Sequence, residues 1–208
     1  VFSLIGRRPA FGDSEVLFLV TGIIPYMMFL QATSAVRRDE LQGGKEASPL
    51  TSTATYALAN VLTHLLITLA ASVTICSSMH LLGIRHALPS QPLVAIAGIL
   101  LTALLAFGFG LCNAMLASMF SPWASVWRVA TRGLFLLSGI FYVVDFLPYF
   151  AREILVWNPL VHGVILVRMG FYENHPTLAF DLHYFVAWGV CTTLAGLWLH
   201  RIFRRRAT

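Results

Sequence analysis

Charged residues are scarce in this sequence of 208 residues. Asp, Glu, Lys and Arg together make up 11% of it, whereas soluble domains carry about 25%. Lysine occurs once, at Lys45, so the net charge of +5 depends on arginine, and no basic stripe interleaved with aromatic residues is present to bind nucleic acid. Hydrophobic residues make up 58% of the chain, and its mean hydropathy is +0.77. These values exclude an ordinary soluble domain and predict an all-α integral membrane protein without a nucleic-acid partner.

Motifs for nucleotide binding, hydrolysis and metal binding are also missing. The sequence has no GxxxxGK[ST] phosphate loop, no GxSxG nucleophile turn, and no HExxH or HxxxH spacing among its seven histidines. The three cysteines lie in three different apolar runs, without metal or redox spacing. We therefore predict no catalytic residue, no metal site and no cofactor in this chain.

Apolar runs of membrane-spanning length recur along the chain. A span needs about 20 apolar residues to cross a ~30 Å hydrocarbon core. The first six residues, VFSLIG, are typical of the end of an earlier helix, with no signal peptide before them. Without an internal repeat, we expect one transmembrane domain over residues 1–208, truncated in its first span. The predicted spans are 1–6 (partial) and about 16–36, 55–82, 93–120, 125–146 and 182–203.

The distribution of Arg and Lys predicts the orientation in the membrane. If the loop 37–53 is cytoplasmic, then the connection at Ser121 and the C-terminal tail are cytoplasmic too. That side then holds nine basic residues, against five on the other side. The nine are Arg37, Arg38, Lys45, Arg128, Arg132, Arg201, Arg204, Arg205 and Arg206. We expect a multi-pass protein with a cytoplasmic C-terminus.

Residues 138–172 are apolar but cannot form one straight span. They read SGIFYVVDFLPYFAREILVWNPLVHGVILVRMGFY, and each of the two acids and the first arginine costs roughly 2.5–3.5 kcal/mol at the bilayer centre. Non-helical backbone at that depth is tolerated only against protein or a water-filled path. The stretch therefore predicts short re-entrant helices over 148–170, hinged at Pro148 and Pro159.

Two rows of residues at four-residue spacing predict helix contacts. The polar row in the third span is compatible with interhelical packing or with the lining of a passage. The small-residue row in the fourth span favours close helix approach. The first row is Asn60, His64, Thr68, Ser72, Cys76 and His80, and the second is Ala106, Gly110, Ala114 and Ser118.

The broken stretch carries a resemblance to a known family. Residues 139–172, and above all WNPLVHGVILVRMGFY, resemble the membrane subunits of polysaccharide-exporting ABC transporters. They are most similar to the capsular polysaccharide export permeases of Gram-negative bacteria. The opening FSLIGRRPAFGDS, with TGIIPY at 21–26, is similar to that family's first outer loop and second helix. The amphipathic helix expected before the first span is absent, consistent with truncation.

The resemblance implies a six-span ABC exporter permease that moves lipid-linked capsular polysaccharide across the bacterial inner membrane. It implies a second copy of the chain, a separate ATPase subunit that binds ATP and Mg, and periplasmic and outer-membrane export proteins as partners. The loop after the second span would dock on the ATPase through a short helix, although it is more acidic and glycine-rich than expected. An ordinary solvated loop is the alternative. The docking residues would be Arg37, Arg38, Asp39, Glu40 and Leu41.

The resemblance also places the re-entrant helices at the extracytoplasmic end of the translocation path. Aromatic rings there would stack on the C–H faces of sugars, and arginines would bind acidic sugars or a lipid-linked phosphate. The alternative is that the aromatics form an interfacial belt and a plug. The candidate path residues are Phe141, Tyr142, Tyr149, Arg152, Trp157, Arg168, Phe171 and Tyr172.

Three other functions remain open at this stage. An O-antigen or teichoic-acid exporter would have the same sequence features, because nothing in them identifies the sugar. An intramembrane enzyme acting on lipid-linked sugars would use Asp145, Glu153 and His162. A scaffold subunit would have no path of its own.

Overall fold

Seven α-helices and no strand make up the described part of the chain. In this computed structural model it comprises residues 11–12, 14–43, 53–84, 86–120 and 122–207, without the side chains of 38–43, 53–54 and 203–207. The all-α prediction is confirmed over these residues. The helices are α1 (Glu15–Gly43), α2 (Thr53–Leu81), α3 (Pro92–Met119), α4 (Trp123–Leu137), α5 (Tyr149–Val156), α6 (Pro159–Phe171) and α7 (Leu182–Ala207), with a 3₁₀ turn at Val144–Phe146.

Four of these helices are long and apolar enough to cross a membrane. They are α1 over Glu15–Arg37, α2 over Thr55–Leu81, α3 over Pro92–Met119 and α7 over Leu182–Ile202. Helices α5 and α6 pass the same test only as a pair, and they are bent by 100° at the break between them. The described residues therefore contain four or five candidate spans where six were predicted, and the partial first span at 1–6 lies outside them.

The predicted span at 125–146 is wrong in its second half. Helix α4 ends at Leu137 after 15 residues, which at 1.5 Å per residue is about 22 Å. The next residues leave the helix because Gly139 takes a positive φ of 72°, the left-handed conformation that commonly ends helices. The chain then passes through the 3₁₀ turn into α5, so the break in the apolar stretch begins earlier than the sequence indicated.

The predicted docking helix is not a separate element. Helix α1 continues through residues 37–41 and ends at Gly43, because no Gly or Pro interrupts residues 26–42. The side chains from residue 38 to residue 41, and the loop 44–52, lie outside the described residues.

Helix α3 is the centre of the bundle, and it packs against α1, α2, α6 and α7. Gly108 faces Thr192 and Thr193, and Gly196 faces Leu111, so α3 and α7 run in the same direction. A Cβ on Gly108 would come within 2.4 Å of the Thr192 Oγ1. The backbones therefore approach closely, as expected where small residues mediate packing in membranes.

The two predicted rows of residues differ in their burial. In the small-residue row, Ala106, Gly110 and Ala114 are buried and Ser118 is exposed, so the packing role is confirmed for three of four positions. In the polar row only Thr68 and Cys76 are buried. The Thr68 hydroxyl donates to the Met28 sulfur on α1 at 3.4 Å, which favours packing over a polar passage at that level.

Candidate functional site

A groove of about 1020 Å³ lies alongside α5. One wall is α5 together with the residue that follows it, and the other is the segment that leads into α7. The groove is mostly apolar with two charged side chains. Its lining residues are Tyr149, Phe150, Arg152, Glu153, Ile154, Val156, Trp157, Leu178, Ala179 and Tyr184.

Helix α5 exposes three large aromatic side chains to this groove. Tyr149, Phe150 and Trp157 are 66%, 72% and 75% exposed, an unusual density of exposed rings for eight helical residues and the residue after them. The Arg152 guanidinium lies 5.7 Å from the Tyr149 ring centroid, and the Glu153 carboxylate adds a negative charge to the same lining. The groove thus combines flat apolar faces with hydrogen-bonding and charged groups.

The turn between α5 and α6 is held by Asn158. Its Oδ1 accepts the Leu160 N–H at 3.1 Å, which caps α6, and Pro159 occupies the first helical position, where a missing N–H has no cost. The Asn158 Nδ2 donates to the Leu137 carbonyl at 3.2 Å. One side chain therefore both starts α6 and joins the turn to the end of α4.

The second wall of the groove is fastened to the first by hydrogen bonds. The Tyr184 hydroxyl donates to the Trp157 carbonyl at 2.7 Å. The Asp181 Oδ1 accepts the Tyr184 N–H at 3.0 Å, an N-cap for α7. Further back, the Asp145 Oδ1 accepts the Ala179 N–H at 2.8 Å. These bonds set the width of the groove at its base.

His162 is a structural residue beneath the groove. Its side chain is buried, and its Nε2 lies 2.9 Å from the Val156 carbonyl while its Nδ1 accepts the Asp181 N–H at 3.1 Å. The two partners assign the ring proton to Nε2. No hydrogen bond or ion pair joins His162, Asp145 and Glu153 to one another, although all three are among the described residues. The acid, base and histidine of the enzyme hypothesis are therefore not assembled.

Arg168 forms a second polar centre, in the core. It is 1% exposed, and its guanidinium donates to four backbone carbonyls of two segments. These are Gly139 at 2.7 Å, Tyr142 at 3.2 Å, Ile140 at 2.8 Å and, on α1, Phe18 at 3.3 Å. We call this arrangement the carbonyl clamp.

Two α1 residues make room for the carbonyl clamp. The Arg168 guanidinium carbon lies 3.7 Å from the Phe18 ring centroid, a cation–π contact away from water. Gly22 leaves the space that the guanidinium needs, since a Cβ there would lie 2.8 Å from Nη2. The clamp joins α6 to α1 and to the segment after α4.

The structure brings only part of the predicted path together. Tyr149, Arg152 and Trp157 share the groove. Phe141 is 44% exposed and packs edge-on against the Phe135 ring, and the half-buried Tyr142 donates its hydroxyl to the Leu136 carbonyl.

The other three predicted path residues are buried. Arg168 lies in the carbonyl clamp, and Phe171 and Tyr172 are 6% and 9% exposed at the end of α6. In this conformation none of the three contacts the groove.

Tyr184 belongs to the groove, although it was not among the predicted path residues. It lies 27 residues after Trp157, the residue to which it is bonded. The N-cap pattern at Asp181 fixes where α7 starts and hence the direction of Tyr184. That pattern was the available signal, but pairing it with α5 required the fold.

Of the predicted docking residues, only Arg37 has a described side chain. It is half-buried and lines a cleft between α1 and α4. Within the described residues no group of three or more His, Cys, Asp or Glu side chains is arranged to bind a metal ion.

The sequence of this chain is similar to those of known membrane transport proteins. The family model of the ABC-2 type transporter matches residues 11–172. The capsule polysaccharide export inner-membrane protein BexB of Haemophilus influenzae is 29% identical over 105 residues, which cover 50% of this chain and 40% of BexB. CtrC of Neisseria meningitidis serogroup B, which has the same descriptive name, is 26% identical over 186 residues, 88% of this chain and 69% of CtrC.

A further relative aligns over nearly the whole chain. The polysialic acid transport protein KpsM of Escherichia coli is 25% identical over 203 residues, 97% of this chain and 78% of KpsM. The alignment with BexB, in contrast, spans less than half of that protein. The match to the family model covers more than half of the sequence and contains six of the seven helices, and the chain belongs to the ABC-2 type transporter family.

Proposed function

We propose that the chain is the transmembrane subunit of an ABC transporter that exports lipid-linked capsular polysaccharide across the bacterial inner membrane. Family membership supports the transport role, and the names of three relatives support the substrate class. The observation that carries the proposal is the groove beside α5, where exposed aromatic rings adjoin Arg152 and Glu153. Residues 1–208 would form one permease domain.

The groove would be the extracytoplasmic end of the path. Helices α1, α3 and α7 run in one direction, and α4 runs antiparallel to α1, because Tyr26 bonds to Thr131 and Gly22 lies against Ile140. The end of α1 and the start of α4 therefore lie at one end of the bundle, together with most of the basic residues. By the positive-inside rule that end, with the C-terminus, is cytoplasmic.

Sugars fit the chemistry of the groove. Tyr149, Phe150 and Trp157 offer ring faces for the C–H faces of a glycan, while Arg152 meets carboxylate or phosphate groups. The three aromatic side chains are exposed, but they do not form one continuous apolar surface, because Arg152 and Glu153 lie between them on the same helix. A moving polymer needs such repeated weak contacts more than one tight pocket.

The energy would come from a separate ATPase subunit that binds ATP and Mg. Residues 37–41 at the end of α1 would dock on it, so that ATP-driven movement of the partner is transmitted along a continuous α1. A second copy of the chain would complete the path, with periplasmic and outer-membrane export proteins beyond it. ATP would drive the conformational change of the transporter because it binds the two conformations with different affinity.

An O-antigen or teichoic-acid exporter is the alternative within the transport class. The intramembrane enzyme is disfavoured, because both ring nitrogens of His162 are engaged with backbone groups. A scaffold without a path would leave the exposed rings of α5 without a function.

Alanine variants of the groove test the proposal. Tyr149→Ala and Trp157→Ala should each lower export by about tenfold, because each removes one stacking surface, while assembly with the ATPase is unchanged. The assay is capsule export by the full-length chain in cells that lack their own permease. Trp198→Ala is the matched control, since Trp198 is 64% exposed on α7 outside the groove.

Normal export from both groove variants would contradict the proposed path. Export reduced equally in the Trp198 variant would also contradict it, since exposed aromatic residues would then matter only as an interfacial belt. Activity of the purified chain on lipid-linked sugars without nucleotide would instead support the enzyme.

A further inference from the structure

A second cleft lies at the opposite end of the bundle from the groove, between α1 and α4. Its volume is about 500 Å³. Helix α1 contributes Ser34 and Arg37, and α4 contributes Trp127, Arg128, Thr131 and Arg132. We call it the arginine cleft.

The described side chains that line the arginine cleft carry three positive charges and no negative charge. Arg128 and Arg132 are four residues apart on α4, so they lie on one face and repel each other, and Arg37 faces them from α1. None of the three makes an ion pair within the described residues. The acids with described side chains are all elsewhere, at Glu15, Asp145, Glu153, Glu173 and Asp181. Asp39 and Glu40 follow Arg37 in sequence, outside the described side chains.

Two buried donors in the same cleft lack acceptors. The Arg37 Nε and the Trp127 Nε1 are buried, and neither has a hydrogen-bond partner among the residues that the structure describes. Buried N–H groups are nearly always satisfied. The two donors belong to opposite walls, so one ligand with several acceptor oxygens would satisfy both. Ser34 and Thr131 add hydroxyls.

The surroundings indicate that such a ligand has an apolar tail. Val129 and Leu136, on the same helix as two of the arginines, are 69% and 59% exposed, as expected of side chains that face lipid. Tyr26 and Leu30 form the apolar part of the lining. A free anion would have no use for these surfaces, whereas the tail of a lipid would cover them.

We propose that the arginine cleft binds the phosphate group of an anionic lipid, with the guanidinium groups of Arg37, Arg128 and Arg132 as its ligands. Arginine is suited to bidentate contacts with phosphate oxygens. The lipid is either a phospholipid of the bilayer or a polyprenyl-linked phosphate. Binding here does not depend on the groove or on the direction of transport.

Native mass spectrometry of the full-length chain with its ATPase subunit tests the site. The delipidated complex is titrated with phosphatidylglycerol, with a polyprenyl diphosphate and with phosphatidylcholine. The wild type should bind the first two in preference to phosphatidylcholine. Arg128→Gln with Arg132→Gln should weaken that binding by about tenfold, whereas the double lysine variant should keep most of it. Arg201→Gln is the control, as an exposed arginine outside the cleft.

Equal retention of anionic lipid by the wild type and the double glutamine variant would overturn the proposal, provided that both unfold at the same temperature. So would an equal loss in the Arg201 variant, or equal affinity for phosphatidylcholine. Displacement of phosphatidylglycerol by the polyprenyl diphosphate, with a raised KM for export in the double variant, supports the site and assigns it to the substrate. Retained phosphatidylglycerol with an unchanged KM supports it and assigns it to a membrane lipid.

Discussion

Removing the Arg168 guanidinium should destabilise the protein strongly and at a predictable place. The substitution is Arg168→Met, which keeps an unbranched apolar stem and deletes the donors of the carbonyl clamp. Two of the four bonds are short, at 2.7 Å to Gly139 and 2.8 Å to Ile140. Hydrogen bonds to a charged group contribute about 1.5–3 kcal/mol each, and losses above about 4–5 kcal/mol are exceptional for one residue. We expect the free energy of unfolding to fall by about 4 kcal/mol.

Arg168→Lys separates charge from geometry. Lysine keeps the positive charge, but its ammonium cannot span four carbonyls from two segments as the planar fork does. It should therefore lose about half as much stability as the methionine variant. If the charge alone mattered, the lysine variant would unfold like the wild type.

Two measurements on the purified full-length chain check this. Denaturation in mixed micelles gives the free energy of unfolding. Hydrogen exchange then locates the change, because the amides of 139–142 should exchange faster while those of α2 serve as an internal reference. Wild-type stability together with wild-type exchange at 139–142 in the methionine variant would refute the clamp.

Two further predictions concern packing and pH. Gly108→Ala should lower the free energy of unfolding by about 1–3 kcal/mol, because the added Cβ would lie 2.4 Å from the Thr192 Oγ1. Gly133→Ala is the control and should not lower it, because a Cβ there meets nothing within 4 Å. Equal thermal stability of the two variants would contradict the α3–α7 contact. The pKa of His175 is lowered to about 4, mainly by burial and secondly by the charge of Arg168. The hydrogen bond to the Pro176 carbonyl raises this pKa by a smaller amount. The pKa of His175 in the folded state is below its unfolded value of about 6.5. The contribution of neutral His175 to the free energy of unfolding is therefore complete above that pH and is lost as the pH falls towards 4. Between pH 7.5 and 5 the free energy of unfolding of the wild type should fall by about 2 kcal/mol more than that of His175→Gln. Parallel plots of unfolding free energy against pH for the two proteins would show that His175 does not titrate.

The division of residues 148–170 into two short helices was the part of the fold that the sequence predicted best. Charges and prolines inside an apolar run are costly in a straight span, so their positions predict where the helix is interrupted. Breaks expected at Pro148 and Pro159 correspond to α5 over Tyr149–Val156 and α6 over Pro159–Phe171, bent by 100°. The end of α4 was not predictable in the same way, because residues 140–144, between Gly139 and Asp145, carry no charge and no proline.

The candidate site was predictable only where its residues are neighbours in sequence. Tyr149, Arg152 and Trp157 share α5 and its end, and all three line the groove. Arg168 was placed with them because it is a basic residue in the same stretch. Its partners are backbone carbonyls as far as 150 residues away in sequence, and no pattern of side chains marks a carbonyl acceptor.

The unequal fastening of α5 and α6 has a mechanical consequence. Helix α6 is buried against α3 and joined to α1 through Arg168, so it must follow any displacement of those helices as one rigid piece. Helix α5 packs chiefly on α6 and on the 3₁₀ turn. The groove therefore has one stiff wall component beneath it and one compliant helix beside it. If the groove carries the proposed polymer, deflection of α5 about the Asn158 turn would let segments of uneven thickness pass without loosening the core around α6.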